Sequence, residues 1–329
     1  MKFAFFDARQ YEIPHFEKHA RGTGIEFDFI TSRLNLDTVK LAEGFDGVCV
    51  FANDTLSAAV IEKLWEYGAK IVALRCTGFN NIDMKHAFGK IRVVRIPDYS
   101  PHAIAEHAMA MLLTSVRKIH EADKRTKAAD FSLEGLCGTE LYGKTVGIVG
   151  TGKIGLAFAD ICRGFGMRTL ACDKFKSEEL LSRGRVRYAS LDELLSESDI
   201  VSLHCPLKEE SYHMINESTL TLCKDGVIII NTSRSGLIDA EALADAVEGK
   251  KVSAVCLDIY EEDVERFTEN RSARISKNAA FSRLISMPEV IATAHHAYLT
   301  DESLDEIAKT TVKNITELRD SGKCKNELC

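Results

Sequence analysis

Residues 146–155 read Val-Gly-Ile-Val-Gly-Thr-Gly-Lys-Ile-Gly. The apolar run 145–149 ahead of the glycines has the make-up of a strand buried on both faces. Gly150-Thr151-Gly152-Lys153-Ile154-Gly155 follows at once, with Ile154, Leu156, Ala157, Ala159 and Ile161 opening a helical stretch. A strand, a G-x-G-x-x-G loop and a helix in that order form a cradle for a pyrophosphate. Gly150 permits the tight turn, Gly152 lets the backbone approach the phosphates, and Gly155 lets the helix pack close to the sheet. The helix start adds unpaired N–H groups and a positive dipole end.

The next strand, 168–173, ends in Asp173, eighteen residues beyond Gly155. An acid there hydrogen-bonds an adenosine ribose and repels a 2′-phosphate, so the expected cofactor is NAD rather than NADP. Lys174 and Lys176 follow directly and pull the other way.

Outward from this motif the pattern repeats. Apolar runs at 199–205, 226–232, 252–258 and 290–295 read as further buried strands, most of them separated by helical segments. On the N-terminal side, 2–6, 25–30, 47–51, 71–74 and 91–96 read as strands, with a helical stripe over 55–67. A long helical pattern runs from Pro101 to Arg125, with Ser100 as its cap. The tail 301–324 reads as a last helix, with Leu304, Ile307, Thr311, Ile315 and Leu318 on one face. Strand–helix alternation of this kind means α/β architecture with two parallel-sheet domains.

The chain has 329 residues and a net charge of −7, long enough for two domains without disulfides or metal. The acidic balance argues against a nucleic-acid partner. The N-terminus lacks the features of a signal peptide, and no run is long enough to span a membrane, so a cytoplasmic protein is expected. Ten cysteines are present without a C-x-x-C pair. They read as small core hydrophobes in a reduced protein, with only Cys324 and Cys329 expected to be exposed.

In open α/β sheets ligands bind beyond the carboxyl ends of strands. At those ends stand Thr232-Ser233-Arg234, then Asp258 followed by Glu261, Glu262 and Asp263, and then His295-His296. An Arg, an acid cluster and a His suit hydride exchange at C2 of a 2-keto acid. Arg grips the carboxylate bidentately. A His with near-neutral pKa handles the proton of the developing alkoxide. A carboxylate on the far ring nitrogen fixes the tautomer. On an extended stretch His295 and His296 point to opposite faces, so they do not form a metal pair. His102, Glu106 and His107 miss the zinc-protease spacings and read as helix surface or domain contact. His204 reads as packing near the cofactor.

Together, residues 74–84, 99–108, 146–155, 203–207, 230–239, 257–263 and 294–300 resemble the D-isomer-specific 2-hydroxyacid dehydrogenase family, in its D-lactate dehydrogenase branch. The resemblance runs over essentially the whole chain. It implies a Rossmann-type NAD-binding domain, 99–298, inserted into a flavodoxin-like substrate domain, 1–98 plus 299–329. It implies an active site in the cleft between them, closing to exclude water, and a homodimer built largely on the cofactor domains. By position, Arg234 matches the substrate-binding Arg and His295 the acid/base. The Thr77 and Gly78 N–H groups match the loop that holds the substrate carboxylate. Tyr99 and Tyr298 match active-site aromatics, and Phe51 the aromatic that limits substrate size. Lys153, Ile154, Asp173, Cys205, Pro206, Ser211, Thr232, Ser233, Arg234 and Asp258 match cofactor contacts.

One departure concerns the catalytic acid. The family usually has Glu five residues after the Asp of its D-x-Y-E stretch, whereas this chain has Asp263, one methylene shorter. Asp263 is the expected partner of the His, with Glu262 as the alternative. A small pocket implies pyruvate and D-lactate, ahead of larger keto acids such as 2-ketoisocaproate or phenylpyruvate. A non-catalytic NAD-sensing relative is opposed by the complete Arg, acid and His set.

Overall fold

The computed structural model describes residues 1–182, 186–258 and 279–329. In chain order it opens with β1 (Lys2–Phe5), α1 (Ile13–Ala20), β2 (Glu26–Phe29), β3 (Gly47–Val50), α2 (Ala58–Glu66), β4 (Ile71–Leu74), α3 (Met84–Ala87) and β5 (Arg92–Val94). Next come α4 (Pro101–Val116), α5 (Ile119–Lys127), β6 (Thr145–Val149), α6 (Lys153–Gly164), β7 (Arg168–Cys172), α7 (Glu178–Ser182), β8 (Val186–Tyr188) and α8 (Leu191–Glu197). The remainder is β9 (Ile200–Leu203), α9 (Glu217–Leu222), β10 (Val227–Asn231), α10 (Ala240–Glu248), β11 (Val252–Asp258), α11 (Ala279–Ile285), β12 (Val290–Thr293) and α12 (Asp301–Ser321). These elements form two compact units, Met1–Ser100 with Leu299–Cys329, and Pro101–Tyr298.

The first unit is a parallel sheet of order β2-β1-β3-β4-β5. Val48, Val50, Val72 and Leu74 pack one face onto Val60, Ile61 and Leu64 of α2. Phe3, Ile71, Ala73 and Val94 pack the other onto Val312, Ile315 and Leu318 of α12. With both faces covered, the strands carry apolar residues continuously instead of alternately. The β5 edge is closed by the chain's own end. Val93 N donates to Cys329 O at 3.0 Å, Leu328 N to Val93 O at 2.8 Å, and Arg95 N to Asn326 O at 3.1 Å. Such pairing removes an open edge.

That pairing also corrects the expectation for the cysteines. Cys324 and Cys329 are only partly exposed, because the polar tail is docked, and the exposed thiol is Cys137. Burial pushes the thiols of Cys49, Cys162 and Cys256 up to about 12, so they behave as core hydrophobes.

The second unit is a parallel sheet of order β12-β11-β10-β9-β6-β7-β8. Ala108 and Leu112 of α4 and Phe158 and Cys162 of α6 cover Val146, Ile148, Ile228 and Ile230 on one face. Leu194, Leu220 and Leu243 cover Val201, Leu203, Ile229 and Val255 on the other. The strand order reverses between β6 and β9, which opens a crevice at their carboxyl ends.

Two local features depart from the sequence pattern. The helix expected over 101–125 breaks between α4 and α5, where Lys118 takes φ +50°. The break is filled from outside the helix. Thr139 N donates to Val116 O at 3.0 Å, and a Cβ at Gly138 would meet that same oxygen at 2.5 Å. The short strand β8 carries Arg187 between Val186 and Tyr188. It pairs only with β7, at the sheet edge, where a charged residue is tolerated.

His204, just past β9, is half-buried against Phe158 with ring centroids 5.1 Å apart, and its Nε2 lies 2.8 Å from Ser202 Oγ. Burial lowers its pKa from 6.5 to about 4. The unfolded chain therefore binds a proton more readily than the folded one. The stability that His204 contributes is complete above pH 6.5 and is lost as pH falls toward about 4. The melting temperature is expected to fall across that window in wild type and to fall less in His204→Gln. Identical slopes in melts run at stepped pH would contradict this.

Candidate active site

The glycine loop lies at the switch point of the second unit, and two of its three glycines are required by the protein itself. Gly150 has φ +94°, and a Cβ there would meet Cys205 N at 2.6 Å. A Cβ on Gly155 would overlap Gly150 O, so any side chain would push α6 off the loop. Gly152 is different. It has φ −69°, which any residue adopts, and a Cβ there meets nothing within 4 Å. It also stands at the N-cap of α6, where a glycine has no side chain to set against the helix N-terminus. A glycine with no intramolecular reason, at the positive end of a helix dipole, fits the seat of a pyrophosphate.

Asp173 closes the loop from below. Its Oδ2 accepts from Thr151 N at 2.6 Å and its Oδ1 from Phe175 N at 3.0 Å. Burial opposes ionisation of this carboxyl, but the hydrogen bonds from Phe175 and Thr151 prevail and hold its pKa below the usual carboxylate range. It thus carries a negative charge next to the loop, where an adenosine ribose would lie.

The next strand tips are tied to this loop and to one another. Ser233 Oγ donates to Cys205 O at 2.7 Å, linking the end of β10 to the end of β9. Asn231, a residue the sequence reading passed over, builds the turn that presents Arg234. Its Nδ2 donates to Arg234 O at 2.8 Å and its Oδ1 accepts from Ser233 N at 2.9 Å. Arg234 is exposed, with Nη1 2.8 Å from Ser233 O. Thr232 Oγ1 is buried and has no hydrogen-bond partner among the described residues. Ser211 spends its hydroxyl within its own loop, donating to Pro206 O at 2.9 Å and accepting from Lys208 N at 2.8 Å.

Asp258 ends β11 as a buried carboxylate. Oδ1 accepts from Thr293 Oγ1 at 2.8 Å and from His296 N at 2.9 Å, and Oδ2 accepts from Ala297 N at 2.9 Å. This clamp folds the chain just after β12, and His295 takes φ +51°. The stretch is therefore a turn, not the extended segment expected from the sequence. The two histidines still separate. His296 is exposed, with its ring edge-on to His107 at 4.7 Å. His295 lies with its ring centroid 6.4 Å from that of Tyr298. Burial lowers the His295 pKa below 6.5, the Asp258 charge raises it, and the Arg234 charge lowers it further. Arg234, Asp258 and His295 stand at the carboxyl ends of three adjacent parallel strands, β10, β11 and β12.

His107 is not the exposed helix-surface residue that was one expectation for it. It is half-buried, and its Nε2 lies 3.0 Å from Thr293 Oγ1, behind the Asp258 clamp. Asp263 and the alternative Glu262 lie outside the described residues.

In the first unit the remaining candidates also follow strand ends. Among the described residues, the N–H groups of Thr77 and Gly78, just beyond β4, donate to no protein acceptor. Phe51 follows β3 on a loop pinned by buried Asp54. Phe51 N donates to Asp54 Oδ2 and Leu34 N to Asp54 Oδ1, each at 2.6 Å. Asn81 Nδ2 donates to Phe51 O at 3.0 Å, and the Arg75 guanidinium lies 5.1 Å from the Phe51 ring centroid. Burial raises the Asp54 pKa to about 6, with Arg75 opposing. Tyr99 lies after β5, partly exposed.

A family model described as D-isomer specific 2-hydroxyacid dehydrogenase, NAD binding domain, matches residues 109–297. The chain is 44% identical over 330 residues to the D-lactate dehydrogenase of Escherichia coli (strain K12), covering 100% of both. Among solved structures, the apo form of D-lactate dehydrogenase from Escherichia coli has a TM-score of 0.92 at 43% identity, covering 100% of both chains. The D-lactate dehydrogenase from Lactobacillus jensenii with NAD+ has a TM-score of 0.83 at 32% identity, covering 98% of both.

Gly152→Ala separates folding from cofactor binding. The melting temperature of the apo protein should be unchanged or slightly raised. The NADH dissociation constant, read by fluorescence titration, should rise about tenfold or more, a cost of at least ~1.4 kcal/mol. An unchanged constant would remove the pyrophosphate from Gly152.

Proposed function

Because the chain belongs to the D-isomer-specific 2-hydroxyacid dehydrogenase family, an NAD-dependent group of oxidoreductases, we propose that it interconverts pyruvate and D-lactate. The observation that carries this reading is that Arg234, Asp258 and His295 stand at the carboxyl ends of the adjacent strands β10, β11 and β12, in the same sheet as a glycine loop shaped for NAD.

Bound NAD supplies and accepts the hydride at its nicotinamide ring. Arg234 holds the substrate carboxylate, with the Thr77 and Gly78 N–H groups as further donors. In reduction His295 Nε2 gives a proton to the C2 oxygen as the alkoxide develops, and in oxidation it takes that proton back. Asp263 supports the opposite ring nitrogen and stabilises the imidazolium. Phe51, Tyr99 and Tyr298 are the aromatic side chains that this reading assigns to limiting substrate size, which suits a methyl group. Gly150, Lys153, Ile154, Asp173, Cys205, Pro206, Ser211, Thr232, Ser233 and Asp258 line the NAD side. On this reading residues 1–98 with 299–329 serve the substrate and 99–298 serve the cofactor.

The second unit also supports a homodimer. Helix α5 buries none of its residues, and Ile119, Phe131, Leu133 and Tyr142 on and after it are exposed. A second copy covering them would remove a large apolar surface from water. Among the described residues no helix is long and apolar enough to cross a membrane. All ten cysteines are unpaired, which suits the reducing cytoplasm.

NADH oxidation with pyruvate, 2-ketoisocaproate and phenylpyruvate in parallel tests the reading, and pyruvate should give the highest kcat/KM. His295→Ala should cut kcat by about 10²–10⁴-fold while leaving NADH affinity nearly intact, and His296→Ala should be mild. Equal losses of turnover and NADH binding in His295→Ala would make that residue structural.

The pH dependence has a definite sign. Reduction needs protonated His295, so its kcat/KM should fall as pH rises through the pKa of this group. Oxidation needs the neutral ring and should rise through the same pKa. Asp263→Asn removes a carboxylate that favours the imidazolium, so both limbs should move to lower pH. If Glu262→Gln moves them and Asp263→Asn does not, the partner is Glu262.

A further inference from the structure

The first unit contains a side chain that acts on the carboxylate loop from behind. Arg95 follows β5, and its Nη1 donates to Thr77 O at 2.6 Å. The guanidinium also lies 5.4 Å from the Phe79 ring centroid. Arg95 is itself anchored on both sides of its backbone. Asn314 Nδ2, on α12, donates to Arg95 O at 2.9 Å, and Arg95 N donates to Asn326 O at 3.1 Å in the docked tail. Asn326 Nδ2 in turn donates to Asn314 Oδ1 at 2.8 Å.

Thr77 O and Gly78 N–H belong to the same peptide unit. That unit is planar and trans, with its C=O and N–H on opposite sides. A hold on the oxygen therefore aims the N–H the other way. The donor is a cation, so the hydrogen bond is of the stronger charge-assisted kind, and it polarises the amide so that its N–H becomes a better donor. The Gly78 N–H, like that of Thr77, has no acceptor among the described residues. Nothing but Arg95 donates to Thr77 O among the described residues.

We infer that Arg95 is a positioning residue for substrate recognition: by fixing Thr77 O it orients and strengthens the Gly78 N–H that receives the carboxylate of the keto acid. The inference rests on the proposed role of Thr77 and Gly78, and it gives the C-terminal tail a task, because the tail and α12 hold Arg95 in place. Arg95 acts through Thr77 O, so on this inference its effect belongs in substrate binding.

The test is Arg95→Met in the full-length protein, with pyruvate as substrate and oxamate, a carboxylate-bearing isostere of pyruvate, as competitor. Loss of a charge-assisted hydrogen bond should raise the KM for pyruvate and the Ki of oxamate together, by about tenfold to a hundredfold. The kcat should stay within about threefold, as expected for lost uniform binding, and NADH affinity should not move. Arg95→Lys keeps the charge as a point donor without the planar fork. It should give an intermediate KM, and it carries the test alone if the Met variant does not fold. An unchanged KM in either folded variant would overturn the inference. So would a loss in which kcat, NADH affinity and melting temperature fall in step with the rise in KM, the mark of a structural role.

Gly78→Pro removes the aimed N–H and separates the inference from the reading beneath it. On that background Arg95→Met should add little further loss, because both changes act on one peptide unit. Full additivity would overturn the role given to Arg95 while leaving the carboxylate loop standing. A Gly78→Pro variant with wild-type KM for pyruvate would overturn the carboxylate loop, and Arg95's role with it.

Discussion

The capture of three donors by the buried carboxylate of Asp258 is the constraint on which the candidate site depends. Two are backbone N–H groups, of His296 and Ala297, and the third is the hydroxyl of Thr293. Each would be costly to bury unpaired, at about 1–3 kcal/mol, so one carboxylate fixes the path of the chain after β12. The positive φ of His295 is a strained setting for a non-glycine residue, sustained because the residues after it are held. The imidazole is thereby presented from a rigid turn on the sheet.

The same device recurs along the sheet in other chemical forms. At β10 the side chain of Asn231 does for Arg234 what Asp258 does for His295. At β6 the close packing of Gly150 and Gly155 sets the phosphate loop, and at β7 Asp173 holds Thr151. In the first unit Asp54 pins the Phe51 loop and Arg95 the Thr77 loop. Reactive groups stand on loops, while buried or half-buried polar side chains one step behind them limit how the loops lie.

How far the sequence could be read follows from whether a feature is local. The glycine loop, Asp173, Arg234 and His295 stand beside the strand and helix patterns that give them meaning, and adjacent residues are enough to single them out. Asp258 was expected only as a cofactor contact, because its partners Thr293, His296 and Ala297 lie far along the chain. The burial of His107 on α4 was hidden for the same reason, since its partner Thr293 is on the distant strand β12. The end of α4 depends on Gly138, beyond the next helix, and no signal within 101–125 marks it. The tail cysteines looked exposed because their neighbours are polar, and only docking of the tail covers them, Cys329 at β5 and Cys324 against α12. Arg95 had a weak signal available, a charged residue breaking an apolar strand at its end, but its target Thr77 could not be read from that position.

The most direct test of the account is a crystal structure of the protein with NADH and oxamate bound. The account predicts the oxamate carboxylate on the Arg234 guanidinium. It also predicts the amide-flanking carbonyl oxygen within about 2.6–3.2 Å of His295 Nε2. Oxamate bound with either side chain turned away from it, or with the two on opposite faces of the sheet, would contradict the account even with NADH fully in place.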